Sequence, residues 1–189
     1  FFLKPHHVLM QRILAALCDE YLSVSATLKK KVENNLKIPP HRISVIPNGV
    51  DTDIFNGRYD TAPLREELAC KYGVSIRDES FIIGSVGSLK PEKNQTMLLN
   101  AVARVEKAKE KRTCVVIFIG DGPDLPALQD FVREAGLQKQ VAFLGNRDDV
   151  SKWLALMDIL VSTSVARHEG LSNVILEAMA SGLPVVSTR

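Results

Sequence analysis

Cysteine is scarce in this 189-residue chain: Cys18, Cys70 and Cys114 are the only three, and no two of them form a C-x-x-C pair. An odd number of widely spaced cysteines excludes a disulfide framework, and the missing pair excludes the usual zinc spacings. Cys18 falls in an apolar helical pattern and Cys114 opens an apolar run, so both are expected as small core residues in a reducing compartment. Long hydrophobic runs are also missing; stretches such as Val115–Ile119 are far too short to span a bilayer. Charge of one sign is not in excess either. Twenty-four basic side chains stand against 22 acidic ones, a net +2, and this leaves no broad basic field for nucleic acid. Lys29-Lys30-Lys31 is the one tight basic run and is expected on a solvated helix face. No G-x-S-x-G, H-E-x-x-H or G-x-x-x-x-G-K occurs, so hydrolase, zincin and P-loop chemistry lack their residues. His6, His7 and His41 have no neighbouring ligand types, and no metal-ligand cluster is apparent. The chain opens on Phe1, not methionine, so the lack of a leader carries no information about compartment.

What is present is an ordinary globular composition, 46% hydrophobic and 24% charged. Short β-branched or apolar runs stand at Tyr21–Val24, Ile43–Ile46, Phe81–Val86, Val115–Ile119, Val141–Leu144, Ile159–Ser162 and Pro184–Ser187. Helical patterns lie between them at His6–Cys18, Ala26–Asn35, Leu64–Tyr72, Gln95–Lys109, Leu125–Ala135, Val150–Leu156 and Asn173–Ser181. Alternation of this kind indicates βαβ units and a parallel sheet. Runs that are apolar on both faces, as in Val115-Val116-Ile117-Phe118-Ile119, indicate helices on both sides of it. The expected fold class is α/β, a Rossmann-like parallel sheet covered on both faces. The rhythm breaks once, at Pro47-Asn48-Gly49 and the aperiodic stretch up to Pro63. Asn-Gly reaches positive φ cheaply, so a sharp turn or hinge and a domain boundary are expected there.

Ligands of an open parallel sheet bind beyond the carboxyl ends of its strands. Here those ends run into Gly87-Ser88-Leu89-Lys90, Gly120-Asp121-Gly122-Pro123, Gly145-Asn146-Arg147 and Thr163-Ser164. Small residues at four successive strand ends let a ligand approach the backbone, and together they favour one that bears phosphate. The richest constellation is His168-Glu169-Gly170-Leu171-Ser172-Asn173, leading into Val174-Ile175-Leu176-Glu177-Ala178-Met179. Ser172 is a candidate N-cap, and a helix start presents N–H groups that suit a diphosphate. Glu177 stands among apolar residues, where a carboxylate is costly without a partner. Glu169 and Glu177 are eight residues apart, at most about 12 Å if helical. That is too far for a glycosidase pair, but suits two groups gripping opposite ends of one elongated ligand.

The stretch from Glu169 to Glu177 resembles the E-x7-E motif of retaining glycosyltransferases with the GT-B fold, including the following Ala-Met-Ala-Ser-Gly-Leu-Pro-Val-Val. Pro47-Asn48-Gly49-Val50-Asp51, with Phe55 downstream, resembles the interdomain linker of that family. Gly87 through Asn94 resembles its diphosphate loop, Gly120-Asp121-Gly122-Pro123 its next loop, and Phe143-Leu144-Gly145 its base-binding strand end. The resemblance implies that residues 1–47 end an acceptor-side domain and that 48–189 form a C-terminally truncated donor-binding domain. It further implies that Glu169 binds donor-sugar hydroxyls near the reacting centre and that Lys93 neutralises the diphosphate. Leu171 and Ser172, with Gly170 and Asn173 beside them, would hold the diphosphate, and Glu177 would accept from the ribose hydroxyls. Gly87, Ser88, Gly120 and Gly122 would line the donor site, and the backbone at Asn146 and Arg147 would read the base.

The implied reaction is sugar transfer from a nucleotide-diphosphate sugar with retention of configuration, as in polysaccharide biosynthesis, with no metal and no separate cofactor. Uridine diphosphate is preferred over guanosine or adenosine diphosphate as the donor carrier. The acceptor, a lipid or a glycan, is not specified. The expected setting is cytoplasmic, with any membrane contact peripheral and made through the upstream domain; the 189 residues alone are expected to be inactive. A non-catalytic nucleotide-sugar-binding scaffold subunit and a nucleotide-sugar epimerase remain as alternatives. One departure stands out: the family commonly has arginine after Gly87, and this chain has Ser88, which cannot make arginine's bidentate phosphate pair.

Overall fold

The computed structural model describes residues 5–107, 113–165 and 172–188. The chain divides into two compact units. Among the described residues, the smaller takes in everything up to Gly49 together with Ser172 and Asn173, and the larger takes in the rest.

The smaller unit runs α1 (Pro5–Ala16), β1 (Tyr21–Ser23), α2 (Ala26–Leu36), a single 3-10 turn at Pro40–Arg42, and β2 (Ile43–Val45). β1 and β2 pair in parallel, Tyr21 opposite Ile43 and Ser23 opposite Val45. Ser25 starts α2 by accepting the Leu28 N–H at 3.1 Å on its hydroxyl, which satisfies one of the free donors of the first turn. Lys37 ends the helix in the left-handed region and donates its N–H to Glu33. A small core of Ala15, Ile38 and Ile43 is flanked by Tyr21, Val32 and Leu36. Two expectations change here. Cys18 is exposed, as are Leu9, Met10, Ile13, Leu14 and Leu17 of the same apolar pattern, because no element among the described residues covers that face; the thiol donates to the Leu14 carbonyl at 3.6 Å. In the lysine run, Lys30 and Lys31 are exposed as expected, but Lys29 turns inward and donates to the Ile43 carbonyl at 2.7 Å.

The larger unit contains α3 (Ala62–Cys70), β3 (Phe81–Val86), α4 (Gln95–Lys107), β4 (Cys114–Ile119), α5 (Leu125–Glu134) and β5 (Val141–Phe143). These are followed by α6 (Val150–Leu156), β6 (Ile159–Ser162), α7 (Asn173–Ala180), all but its first residue in this unit, and β7 (Val185–Ser187). Its five strands form one parallel sheet in the order β5-β4-β3-β6-β7. β4 shows why the sheet is covered twice. Val115, Ile117 and Ile119 join a core with Leu64 and Leu68 of α3, Trp153 and Leu154 of α6 and Ala178 of α7. Val116 and Phe118, alternating with them, join a second core with Leu98, Leu99 and Val102 of α4 and Leu128 and Val132 of α5. These five of the six β4 side chains are at most 2% exposed, Cys114 at the strand's start being half-buried, and burying each of the five stabilises by roughly 1.5–3 kcal/mol. The expected α/β fold, a parallel sheet with helices on both faces, is the one observed. Strand order runs outward from β3 in both directions, and the switch point between β3 and β6 is where such sheets hold ligands.

Element ends differ from expectation in instructive places. α3 begins at Ala62, ahead of Pro63, since a proline in the first turn has no N–H to leave unsatisfied. The expected turn at Asn48-Gly49 does not form there: neither residue has positive φ, and the chain is irregular until a turn at Thr52–Ile54. The left-handed glycine of this stretch is Gly57, whose Cα lies against the Ser181 carbonyl so closely that a Cβ would sit 2.5 Å from it. Positions 108 and 109 of the expected α4 lie outside the described residues. Among the described residues no helix is long and apolar enough to cross a membrane.

Candidate functional site

Three parallel strands deliver their carboxyl ends side by side, and the backbone beyond them is cross-linked. Gly87 N–H donates to Ile119 at 2.8 Å, and Gly120 N–H donates to Gly145 at 2.7 Å. Gly120 must be glycine on two counts: its φ is 127°, and an added Cβ would lie 2.1 Å from the Gly87 carbonyl oxygen. Below this line, Leu89 donates to Asp121 at 3.0 Å and accepts from Asp124 at 3.1 Å, while its side chain is buried in the α4/α5 core. Gly122 packs so tightly on Leu89 that a Cβ would meet that carbonyl oxygen at 2.2 Å. Gly87, with φ of 140°, differs: nothing lies within 4 Å of where its side chain would be. The rim is thus closed toward the sheet and open at Gly87.

From that opening the chain passes Ser88 and Lys90 into the 3-10 turn Pro91–Lys93, then through Asn94 at φ 48° into α4. Ser88 and Lys93 are half-buried and Lys90 is exposed. The Ser88 carbonyl accepts from Gln95 Nε2 at 3.0 Å, and the Lys93 carbonyl accepts from the Thr163 hydroxyl at 2.7 Å. The Glu92 carbonyl accepts from Val165 N–H at 2.9 Å, which ties this loop to the chain leaving β6.

Beyond β5, Asn146 is exposed while the Arg147 guanidinium is largely enclosed. It makes a paired contact with Asp149, at 2.8 and 3.0 Å, and a third bond to Glu67 of α3 at 3.0 Å. Its guanidinium carbon lies 5.2 Å from the ring centre of Trp153, which is fully buried. The hydrogen bonds to Arg147 hold the Asp149 carboxyl below its ordinary range, and the same bonds raise Arg147. The Arg147 side chain is therefore committed to structure, and the backbone and Asn146 are what this loop offers a ligand. Glu67, Asp149 and Trp153 had no sequence signal as a group, since the contacts join residues as far apart as 67 and 147.

α7 carries the last candidates. Ser172 stands half-buried immediately before it; Asn173, its first residue, is exposed and accepts at 2.6 Å from the Asn48 side-chain amide. Glu177 is half-buried, and its carboxylate has no hydrogen-bond or ion partner among the described residues. Burial pushes its pKa up. Glu169, Gly170 and Leu171, together with Arg167 and His168, lie outside the described residues. The structure thus gathers Gly87, Ser88, Lys93, Gly120, Gly122, Asn146 and Arg147 on the strand-end side of one sheet, and sets Glu177 on a helix of the same unit. Among the described residues no group of three His, Cys, Asp or Glu side chains is placed to hold a metal ion.

Residues 80–189 match the family model described as glycosyl transferases group 1, and residues 1–54 match the one described as glycosyltransferase family 4. A UDP-Gal:alpha-D-GlcNAc-diphosphoundecaprenol alpha-1,3-galactosyltransferase of Escherichia coli is 30% identical over 176 residues, 92% of this chain and 44% of its own. An N-acetyl-alpha-D-glucosaminyl L-malate synthase of Bacillus anthracis is 28% identical over 171 residues, 90% of this chain and 42% of its own. Among solved structures, Anabaena HepE in complex with UDP-glucose superposes with a TM-score of 0.80 at 25% identity, over 98% of this chain and 49% of that one. The chain spans less than half the length of each of these relatives.

Proposed function

This chain belongs to the glycosyl transferases group 1 family, and on that premise we propose that it forms the nucleotide-sugar-binding part of a retaining GT-B glycosyltransferase. One observation carries the reading: Glu177, half-buried on α7 with no partner for its carboxylate among the described residues. A carboxylate kept in such surroundings calls for donors from outside the chain, and a pair of ribose hydroxyls supplies them. The open backbone at Gly87, with Lys93 on the same loop, supports diphosphate binding alongside.

In this reading residues 48–189 are the donor domain and residues 1–47 the end of the acceptor-side domain. Glu177 binds the ribose, the backbone at Asn146 and Arg147 meets the base, and Gly87, Ser88, Gly120 and Gly122 line the diphosphate. Gly170, Leu171, Ser172 and Asn173 hold the diphosphate at the start of α7, and Lys93 neutralises the charge that builds on it as the glycosidic bond breaks. Glu169 binds the sugar at the reacting centre. The acceptor oxygen joins the anomeric carbon on the face that the diphosphate leaves, which retains configuration. No metal takes part, because Lys93 and the helix N–H groups supply the positive charge.

Uridine diphosphate is the carrier: the E. coli relative is named for UDP-Gal and the Anabaena structure for UDP-glucose. The acceptor is a glycan or lipid-linked sugar, and the protein works in the cytoplasm with peripheral membrane contact. The test is a thermal-shift screen of the full-length protein against uridine, guanosine and adenosine diphosphate sugars, followed by NMR of the product's anomeric proton. Stabilisation by a UDP-sugar and a product of the donor's configuration are expected. An inverted product overturns the retaining mechanism, and no response to any nucleotide sugar overturns the donor site.

A further inference from the structure

The loop from Ser88 to Lys93 contains the cation assigned above to the diphosphate, and two side chains outside the assigned site grip it at its two ends. Gln95, 4% exposed at the start of α4, donates through Nε2 to the Ser88 carbonyl at 3.0 Å. Thr163, 6% exposed just beyond β6, donates its hydroxyl to the Lys93 carbonyl at 2.7 Å. Neither bond belongs to a helix or a sheet ladder, and both come from nearly inaccessible polar groups, which are retained in an interior only where their bonds matter. Gln95 also bears a cost that a residue chosen for packing alone would avoid: its Oε1 is buried without a partner. A leucine of similar volume would leave no such orphan.

Between the two grips the loop has little freedom. Leu89 is buried in the α4/α5 core and bonded to Asp121 and Asp124, and the Glu92 carbonyl is held by Val165. Thr163 directly follows β6, the strand across the switch point from β4 and β5, so its bond carries the position of that strand's end to Lys93. A flexible lysine stem gives directed charge only if its backbone is fixed, and a displacement of about 1 Å is enough to lose much of the effect.

We infer that Gln95 and Thr163 are positioning residues for Lys93, fixing the β3–α4 loop so that its ammonium meets the donor's diphosphate. This rests on the reading of Lys93 in the proposed function, and the experiment separates the two. UDP affinity is measured by calorimetry on the full-length protein in four forms: wild type, Thr163→Val, Lys93→Met, and both together. Thr163→Val keeps the shape of the side chain and removes only the hydroxyl. It should weaken UDP about tenfold when Lys93 is present and less than about twofold when it is methionine, with Thr163→Ser restoring wild-type affinity. A merely structural threonine would cost the same in both backgrounds, and that result overturns the inference, as does an unchanged affinity. If Lys93→Met itself leaves UDP binding intact, the reading of Lys93 fails and the inference fails with it. Gln95→Glu is a second, independent variant for use if Thr163→Val does not fold: it keeps the size and loses the donor to Ser88, and the same coupling to Lys93→Met is expected.

Discussion

The strand-end rim and helix α7 treat polar groups in opposite ways. At the rim, backbone meets backbone: Gly87 with Ile119, Gly120 with Gly145, and Leu89 with both Asp121 and Asp124. These bonds are complete within the protein, and the glycines let the strands come close enough to make them. On α7 the Glu177 carboxylate is half-buried, and nothing among the described residues is bonded to it. The rim is prebuilt and its polar groups add stability; the helix keeps an acceptor at some cost to stability. A ligand that used both would find one wall rigid and the other in want of donors. The same contrast separates substitutions that unfold from substitutions that unbind.

The largest effect should come from breaking the rim. Gly120→Ala forces a Cβ against the Gly87 carbonyl and leaves a non-glycine residue at φ 127°. Overpacking and backbone strain together should cost about 3–5 kcal/mol. Chemical denaturation followed by fluorescence reads this directly, because the chain's only tryptophan, Trp153, is fully buried in the sheet core. Stability equal to the parent would mean that the three strand ends are not interlocked. Next in size, Glu169→Gln in the full-length enzyme should lower the turnover number by about 100-fold or more, the scale of losing one group that stabilises a transition state. UDP affinity should stay nearly unchanged, since UDP lacks the sugar that Glu169 is proposed to bind. Equal loss of UDP affinity would move Glu169 to the nucleotide. Smaller again is Ser88→Arg, which restores the family's usual residue at the open end of the rim. It should tighten UDP binding by about 1–3 kcal/mol in calorimetry; weaker binding by a folded variant would show that Ser88 does not face the diphosphate.

The fold was legible because its signals are local. All seven strands lie where β-branched runs stand, and the double-sided burial of β4 follows from five consecutive apolar residues. Local patterns mislead where they do not say what covers a face or where a turn falls. Cys18 continues the apolar pattern of α1, yet Leu9, Met10, Ile13 and Leu14 of that helix are exposed with it, since nothing among the described residues packs over them. Asn48-Gly49 reads as a turn by propensity, yet the turn falls later, and the glycine required is Gly57, because only there does a neighbouring carbonyl exclude a Cβ. In the candidate site, the glycines after β3 and β4 stood out, but the reason for Gly120 did not. It depends on β3 and β4 being neighbours, and strand order is not written in any local pattern. Gln95 was silent for the same cause, and Thr163 stood out only as a small residue at a strand end: each matters through a bond to a carbonyl, and a carbonyl has no sequence identity. At Asn146 and Arg147 the expectation concerned the backbone alone, and the commitment of the Arg147 side chain to Glu67, Asp149 and Trp153 emerges only when α3 and α6 are in place.

The smallest predicted effect tests the α7 side of the contrast, and it has a sign opposite to that expected of most substitutions. Burial raises the Glu177 pKa above its ordinary value of 4.5. Between that value and the raised one, the folded chain keeps a proton that the unfolded chain has released. Stability therefore falls as pH rises through this window, and the full cost of the charged carboxylate is present above it. Glu177→Gln removes the charge, so at neutral pH the variant should melt slightly higher than the parent. The gain should vanish when both are melted at a pH below the ordinary carboxyl range, where Glu177 is already protonated. In the same variant of the full-length protein, UDP and UDP-sugar should each bind more weakly by about 1–3 kcal/mol, the scale of a hydrogen bond to a charged group. Thermal melting at two pH values and a pair of titrations provide all four numbers. A variant that loses both stability and affinity would mean that Glu177 has a partner within the protein and that α7 is built like the rim. A variant that gains stability and keeps its affinity would mean that the carboxylate is a cost with no ligand to offset it, and the ribose assignment would fall.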